Sequence, residues 1–134
     1  MSKKIIYLDN NSTTEIYPAV FKAMERVGYG NPGSQHDLGE GASDEMNSAR
    51  LVLAREIGAK SHELIFTSGA TEANNLAVFG VAGNAGKKRK IIISAFEHAS
   101  VYESCMILKS QGFQVVEIPV SKEGILDMGR FEKE

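Results

Sequence analysis

The chain predicts an α/β fold, a mostly parallel sheet with flanking helices, and two observations carry that expectation. From residue 63 onward, short apolar runs rich in isoleucine and valine alternate with segments of helical periodicity, each pair joined by a short polar or glycine turn. Strands that alternate with helices are joined by crossovers, so they lie parallel in a sheet covered on both faces. Hydrophobic residues at 43% and charged residues at 24% supply the core such a sheet needs and exclude wholesale disorder.

In order, residues 4–8 (Lys-Ile-Ile-Tyr-Leu) read as a short strand, followed by a polar loop over 9–14. Pro18 fits the first turn of a helix carrying Val20, Phe21, Met24 and Val27 on one face. Residues 28–41 are glycine-rich and read as a loop. A longer helix then repeats Ala42, Met46, Ala49, Leu53 and Ile57 at steps of three and four, with Gly58 as its stop. Residues 63–67 read as a buried strand, 68–70 as a turn, and 72–81 as a helix with Ala73, Leu76, Ala77 and Val81 inward. Residues 90–94 form the next strand. Its helix is expected to open at Ser100, because Ser100 and Glu103 have the spacing of a capping box. Gly112 ends that helix, residues 114–119 form a third strand, and Asp127 can cap one more helix.

Composition excludes several function classes. The 134 residues match one domain of usual size. Fifteen Lys+Arg against 17 Asp+Glu give a formal charge of −2, which argues against a nucleic-acid or anionic-membrane binder. The single cysteine, Cys105, excludes an internal disulfide and a cysteine-rich metal site. Apolar runs fall short of the roughly 20 residues that span a bilayer, and the opening residues lack a secretory core. A cytoplasmic location is expected.

Some letter patterns fail on context. Gly28-Tyr29-Gly30-Asn31-Pro32-Gly33 spells the dinucleotide fingerprint, but it follows a helix, and Pro32 removes an amide donor. The run Lys87-Lys88-Arg89-Lys90 reads as a solvated loop. His36, His62 and His98 lie in separate loops without zinc spacing, so no metal site is expected. Cys105 falls on the apolar side of its helix with Val101 and Leu108 and reads as a buried structural thiol.

The turn Ser68-Gly69-Ala70-Thr71-Glu72 carries more chemistry. It joins the C-terminal end of an expected strand to the first turn of a helix, where open N–H groups and the helix dipole favour an anion. The Thr71 hydroxyl suits a phosphate and a helix cap equally. Glu72 has to point away from a bound anion or pair with a cation. The next strand–loop–helix sets His98 at the same end of the sheet, where an imidazole can stack on a flat ligand, move protons, or simply face solvent.

Four ordered motifs then meet in one resemblance. Tyr7-Leu8-Asp9-Asn10-Asn11-Ser12-Thr13-Thr14, Gly30-Asn31-Pro32-Gly33-Ser34-Gln35-His36, Phe66-Thr67-Ser68-Gly69-Ala70-Thr71-Glu72-Ala73-Asn74-Asn75 and Glu97-His98-Ala99-Ser100-Val101 span essentially the whole chain. Together they resemble the cysteine desulfurases, enzymes of the class V aminotransferase-like group that use pyridoxal 5′-phosphate. Glu15 and Gly33 stand where that family commonly has proline and serine.

The resemblance implies a partial large domain of the pyridoxal-phosphate transferase type: residues 1–14 as an N-terminal strand and active-site loop, and 15–134 as the N-terminal portion of the large domain. It implies that Ala70 and Thr71 bind the cofactor phosphate, that Asn75 supports that turn, and that His98 stacks on the pyridine ring and helps move protons. Asn10, Asn11, Ser12, Thr13 and His36 are implied to lie near the substrate, L-cysteine. The implied reaction yields L-alanine and an enzyme persulfide that feeds iron–sulfur clusters or tRNA thiolation. Implied partners are a sulfur-acceptor or scaffold protein, and either a second copy in a homodimer or a complementary C-terminal chain.

The family's cofactor-anchoring lysine, its persulfide-forming cysteine and its substrate-binding arginine follow much later in the family pattern, and no lysine here sits in the matching context. The chain is therefore expected to be an N-terminal third that is inactive alone. Two alternatives stand beside it: a noncatalytic or split-subunit module, and a piece of another class V enzyme such as a selenocysteine lyase or an aminotransferase.

Overall fold

A computed structural model describes residues 5–134. The chain divides into two compact units, Met1–Leu64 and Ile65–Glu134.

The first unit is helical. Helix α1 (Pro18–Met24) starts with proline in its first turn, as the sequence predicts. Helix α2 (Asp37–Glu56) begins five residues before the expected Ala42, because His36 has extended backbone and its ring accepts the Gly39 N–H. The region expected to be loop as far as Gly41 is thus helical from Asp37. Gly39 is needed there, since a Cβ at that position would lie 2.2 Å from the Ser34 carbonyl oxygen. Gly58, at φ +68°, follows α2, and a 3-10 turn at Ser61–Glu63 closes on the bond from the Lys60 N–H to Glu63 (2.7 Å). The Arg50 guanidinium, on α2, donates to the Leu64 carbonyl.

Two expected strands are corrected. Of residues 4–8, Lys4 lies outside the described residues, and 5–8 form no strand. Of residues 63–67, Glu63 belongs to the 3-10 turn and 64–67 join no ladder, so Ile65 is exposed instead of buried. An extended run becomes a strand only when a neighbour takes its N–H and C=O groups, and the described residues supply none for these two.

The second unit is a β–α–β unit with one helix before it and one after it in the chain. Helix α3 (Ala70–Gly83) is followed by strand β1 (Lys90–Ser94), helix α4 (Ala99–Ser110), strand β2 (Gln114–Ile118) and a short α5 (Met128–Phe131). β1 and β2 pair in parallel, with Ile91 opposite Val115 and Ile93 opposite Glu117. Bonds from the Gln114 N–H to Arg89 and from the Ala95 N–H to Ile118 continue the ladder at both ends. Helix α4 packs on β2 and on α3, burying Ile93, Cys105, Leu108, Phe113 and Ile118. Gly112, at φ +90°, provides the turn out of α4, and Asp127 caps α5 by accepting the Arg130 N–H at 2.9 Å.

The start of α4 also departs from expectation. The helix opens at Ala99, and Ser100 lies inside its first turn, so Ser100 and Glu103 form no capping box. The cap is His98, whose backbone is extended and whose Nδ1 accepts the Ser100 N–H at 3.1 Å.

Candidate active site

The turn before α3 holds itself open at the helix start. Glu72 reaches back so that its carboxylate accepts the Ser68 N–H at 2.7 Å and the Ser68 hydroxyl at 2.6 Å. These bonds hold its carboxyl below the usual carboxylate range. The question posed by an acid in this turn is thereby answered: Ser68 holds it, not a cation. Gly69 caps the helix with extended backbone, and a Cβ there would meet nothing within 4 Å. Among the described residues, no acceptor takes the N–H of Ala70 or Thr71, and no partner takes the Thr71 hydroxyl. Three open donors at the positive end of a 14-residue helix suit a phosphate.

One turn further along α3, the Asn75 amide donates to the Thr71 carbonyl at 2.7 Å, bracing the turn from behind. The Ser104 hydroxyl of α4 shares its one hydrogen between the Asn75 side-chain oxygen at 3.1 Å and the Ser100 carbonyl at 2.8 Å. Beside it, the Asn74 amide donates to the Ser100 hydroxyl at 2.8 Å. The Ser100 oxygen stands 2.9 Å from His98 Nδ1. The two helices are thus joined by two side-chain links, Asn74 to Ser100 and Asn75 to Ser104.

Thr71, Asn75 and His98 line one cavity of about 340 Å³, together with Ser100, Glu103 and Ser104. A larger hollow of about 660 Å³ lies along α3 and β1, lined mainly by apolar side chains such as Val78, Val81, Ile92 and Phe113. Thr71 from the open helix start and the His98 imidazole both line the smaller cavity, which we take as the site; Ala70, the other predicted phosphate residue, is not in its lining. The residues here fit the phosphate and the flat ring of pyridoxal phosphate, with a helix start for one and His98 for the other. They do not fit its covalent attachment, since no lysine lines the cavity.

The remaining predicted residues lie in the first unit. Asn10, Asn11 and Ser12 make a turn closed by the Ser12 N–H on the Asp9 carbonyl (3.1 Å). The Tyr7 hydroxyl spans that turn, 2.7 Å from the Asp9 carbonyl and 3.2 Å from that of Thr13. Asn10 and Thr13 line a shallow concavity with Tyr7. In the glycine-rich motif, Asn31 accepts the Gly33 N–H with its side chain and the Ser34 N–H with its carbonyl, both at 2.9 Å. His36 is occupied as the cap of α2.

Cys105 is 1% exposed, as the apolar pattern predicted, and burial followed by the Glu97 carboxylate pushes its thiol up. It is the protonated, packed sulfur of a core residue. The sequence reading missed Asn74, Ser100 and Ser104. Their signal was present: two adjacent asparagines one turn into α3, and serines four apart on one face of α4.

The chain is similar to known proteins over nearly its whole length. Cysteine desulfurase IscS of Dictyoglomus turgidum is 42% identical over 135 residues, which cover 98% of this chain and 34% of the relative. A solved NifS-like protein superposes with a TM-score of 0.87 at 36% identity, covering 96% of this chain and 36% of its own. A structure of SspA in complex with cysteine gives 0.76 at 34% identity, over 85% of this chain and 34% of that one. The chain spans about a third of the length of the curated relatives it matches. The aminotransferase class-V family model matches residues 6–134, nearly every residue from the Tyr7 turn to the last helix, and the chain belongs to that family.

Proposed function

We propose that this chain forms the phosphate- and ring-binding part of a pyridoxal-phosphate-dependent cysteine desulfurase. The observation that carries the reading is the shared cavity, in which Thr71 at an open helix start and His98 at the start of the neighbouring helix face one space. Bound there, the cofactor supplies an electron sink for the substrate's α-carbon. The Ala70 and Thr71 amides and the Thr71 hydroxyl hold its phosphate, and Asn75 keeps that turn in place through the Thr71 carbonyl. His98 stacks on the ring and holds or passes a proton at Nε2, because Nδ1 is engaged with Ser100. Asn10, Asn11, Ser12, Thr13 and His36 are assigned to the neighbourhood of the substrate.

The net reaction balances as L-cysteine plus an enzyme thiol giving L-alanine plus an enzyme persulfide. The substrate C–S bond breaks, an S–S bond forms, and a proton is taken up at the substrate's β-carbon. Cys105, buried and with a raised thiol, is not the attacking sulfur. The SspA structure bound to cysteine supports the amino-acid substrate, and the persulfide requires a sulfur acceptor as partner.

Pyridoxal 5′-phosphate added to the chain is expected to bind saturably and reversibly, followed by its absorbance. Borohydride is expected to leave no single labelled lysine. Absence of saturable binding contradicts the reading, and a stoichiometric adduct on one defined lysine contradicts the absence of an anchor from this cavity.

A further inference from the structure

We propose that Asn74 and Ser100 are positioning residues for His98, forming a hydrogen-bond relay from the Asn74 amide through the Ser100 hydroxyl to the imidazole. The relay fixes the neutral ring as its Nε2–H tautomer and ties it to the helix that carries Thr71. This rests on the reading of His98 as the ring-facing residue.

Directionality follows from which groups can donate. The Ser100 backbone N–H, 3.1 Å from Nδ1, can only donate, so Nδ1 is an acceptor. The Ser100 hydroxyl lies 2.9 Å from the same nitrogen and has one hydrogen to place. The Asn74 NH₂ group, 2.8 Å from that oxygen, occupies one of its lone pairs and leaves the hydroxyl hydrogen for Nδ1. The opposite chain would put a proton on Nδ1, where it would face the Ser100 N–H. With both donors aimed at Nδ1, the ring hydrogen resides on Nε2, the nitrogen left for cofactor and substrate.

The hydroxyl is not needed to start the helix, because the bond from the Ser100 N–H to His98 caps α4 without it. What the hydroxyl adds is the link across 26 residues to α3, from a buried side chain to a half-buried one. The Asn75–Ser104 link runs beside it and reaches the Thr71 carbonyl. The phosphate turn and the imidazole are therefore held by one connected network, in which each group restricts the next.

The test uses chain labelled with ¹⁵N at histidine, without cofactor, and long-range ¹H–¹⁵N correlation through the rings. His98 is assigned by loss of its signals in His98→Gln. The Nε2–H form is expected to outweigh the Nδ1–H form by about tenfold, with Nδ1 shifted as a hydrogen-bonded acceptor. Ser100→Ala and Asn74→Ala should move Nδ1 toward the unbonded position, and Ser100→Thr should restore it. Asn74→Asp, which takes the hydroxyl hydrogen for its own carboxylate, should raise the Nδ1–H population severalfold. In uniformly labelled chain, unchanged amide signals along β1 and β2, in the same unit as the substitutions, show that each variant is folded, and should Ser100→Ala unfold the chain, the aspartate variant decides.

A wild-type Nδ1–H ring, or His98 signals indifferent to both Asn74→Asp and Ser100→Ala, overturns the relay. Adding pyridoxamine 5′-phosphate separates the two readings. An intact relay whose His98 signals ignore that ligand overturns the ring-facing role and, with it, positioning for the cofactor. Movement of those signals supports both.

Discussion

The two compact units hold their candidate site residues by different means. In the second, Thr71, Asn75 and His98 sit on helices anchored over a core of Ile93, Cys105, Leu108, Phe113 and Ile118. In the first, Asn10, Asn31 and His36 are placed by turns and a cap, and among the described residues the buried side chains reduce to Ala54. Expected core positions of the first unit, such as Val20, Phe21, Leu53 and Ile57, are exposed among the described residues. Packing transmits position over a whole element, whereas a turn fixes only its own few residues. The cavity residues therefore depend on the core of their unit, and the Asn10 and Asn31 turns on a few local hydrogen bonds each.

The widest gap between the units is expected in large-to-small substitutions. Ile118→Ala, at a side chain 1% exposed, should cost about 2–5 kcal/mol, while Leu53→Ala in α2, 46% exposed, should cost under about 1 kcal/mol. Urea midpoints of the two variants measure this directly. Equal losses would erase the distinction.

Glycine replacements sharpen the contrast from the other side. Gly39→Ala drives a Cβ to 2.2 Å from the Ser34 carbonyl oxygen and should cost roughly 1–3 kcal/mol. Gly41→Ala, two residues along α2 in open space, should stabilise by about 0.5–1 kcal/mol. Amide exchange across α2 reports both signs.

The smallest expected effect is a pH response at the phosphate turn. Glu72 binds its proton less tightly folded than unfolded, so its bonds to Ser68 stabilise the turn above the ordinary glutamate range. That contribution is lost as pH falls through the lowered value. Exchange of the Ser68 amide should therefore accelerate on acidification beyond its intrinsic trend, and Glu72→Gln should remove the extra acceleration.

Legibility in the sequence followed the range of the interaction. Residues 90–94 and 114–118 were readable as strands because each is a β-branched run whose partner lies within the chain. Residues 5–8 and 64–67 have similar composition but no ladder partner among the described residues, and composition alone cannot supply one. The start of α2 was masked by Gly39 and Gly41, which lower helix propensity while the chain needs a glycine beside Ser34. His98 escaped notice as a cap because serine, threonine, aspartate and asparagine dominate that role. Thr71 and His98 were legible as candidates from their own turns, and Asn75 only through the family resemblance. The Asn74–Ser100 link was not, since nothing local pairs residues 26 positions apart.

The most direct test of the central claim, that the open start of α3 and His98 form one phosphate-and-ring site, is a ³¹P NMR titration with pyridoxamine 5′-phosphate. Wild-type chain is expected to shift the phosphate resonance saturably, and pyridoxamine without its phosphate is expected to reverse that shift by competition only at far higher concentration. Thr71→Val is expected to lose about tenfold or more in affinity, the value of a hydrogen bond to a charged group. A phosphate resonance that does not move, or equal binding of pyridoxamine and its phosphate, would contradict it.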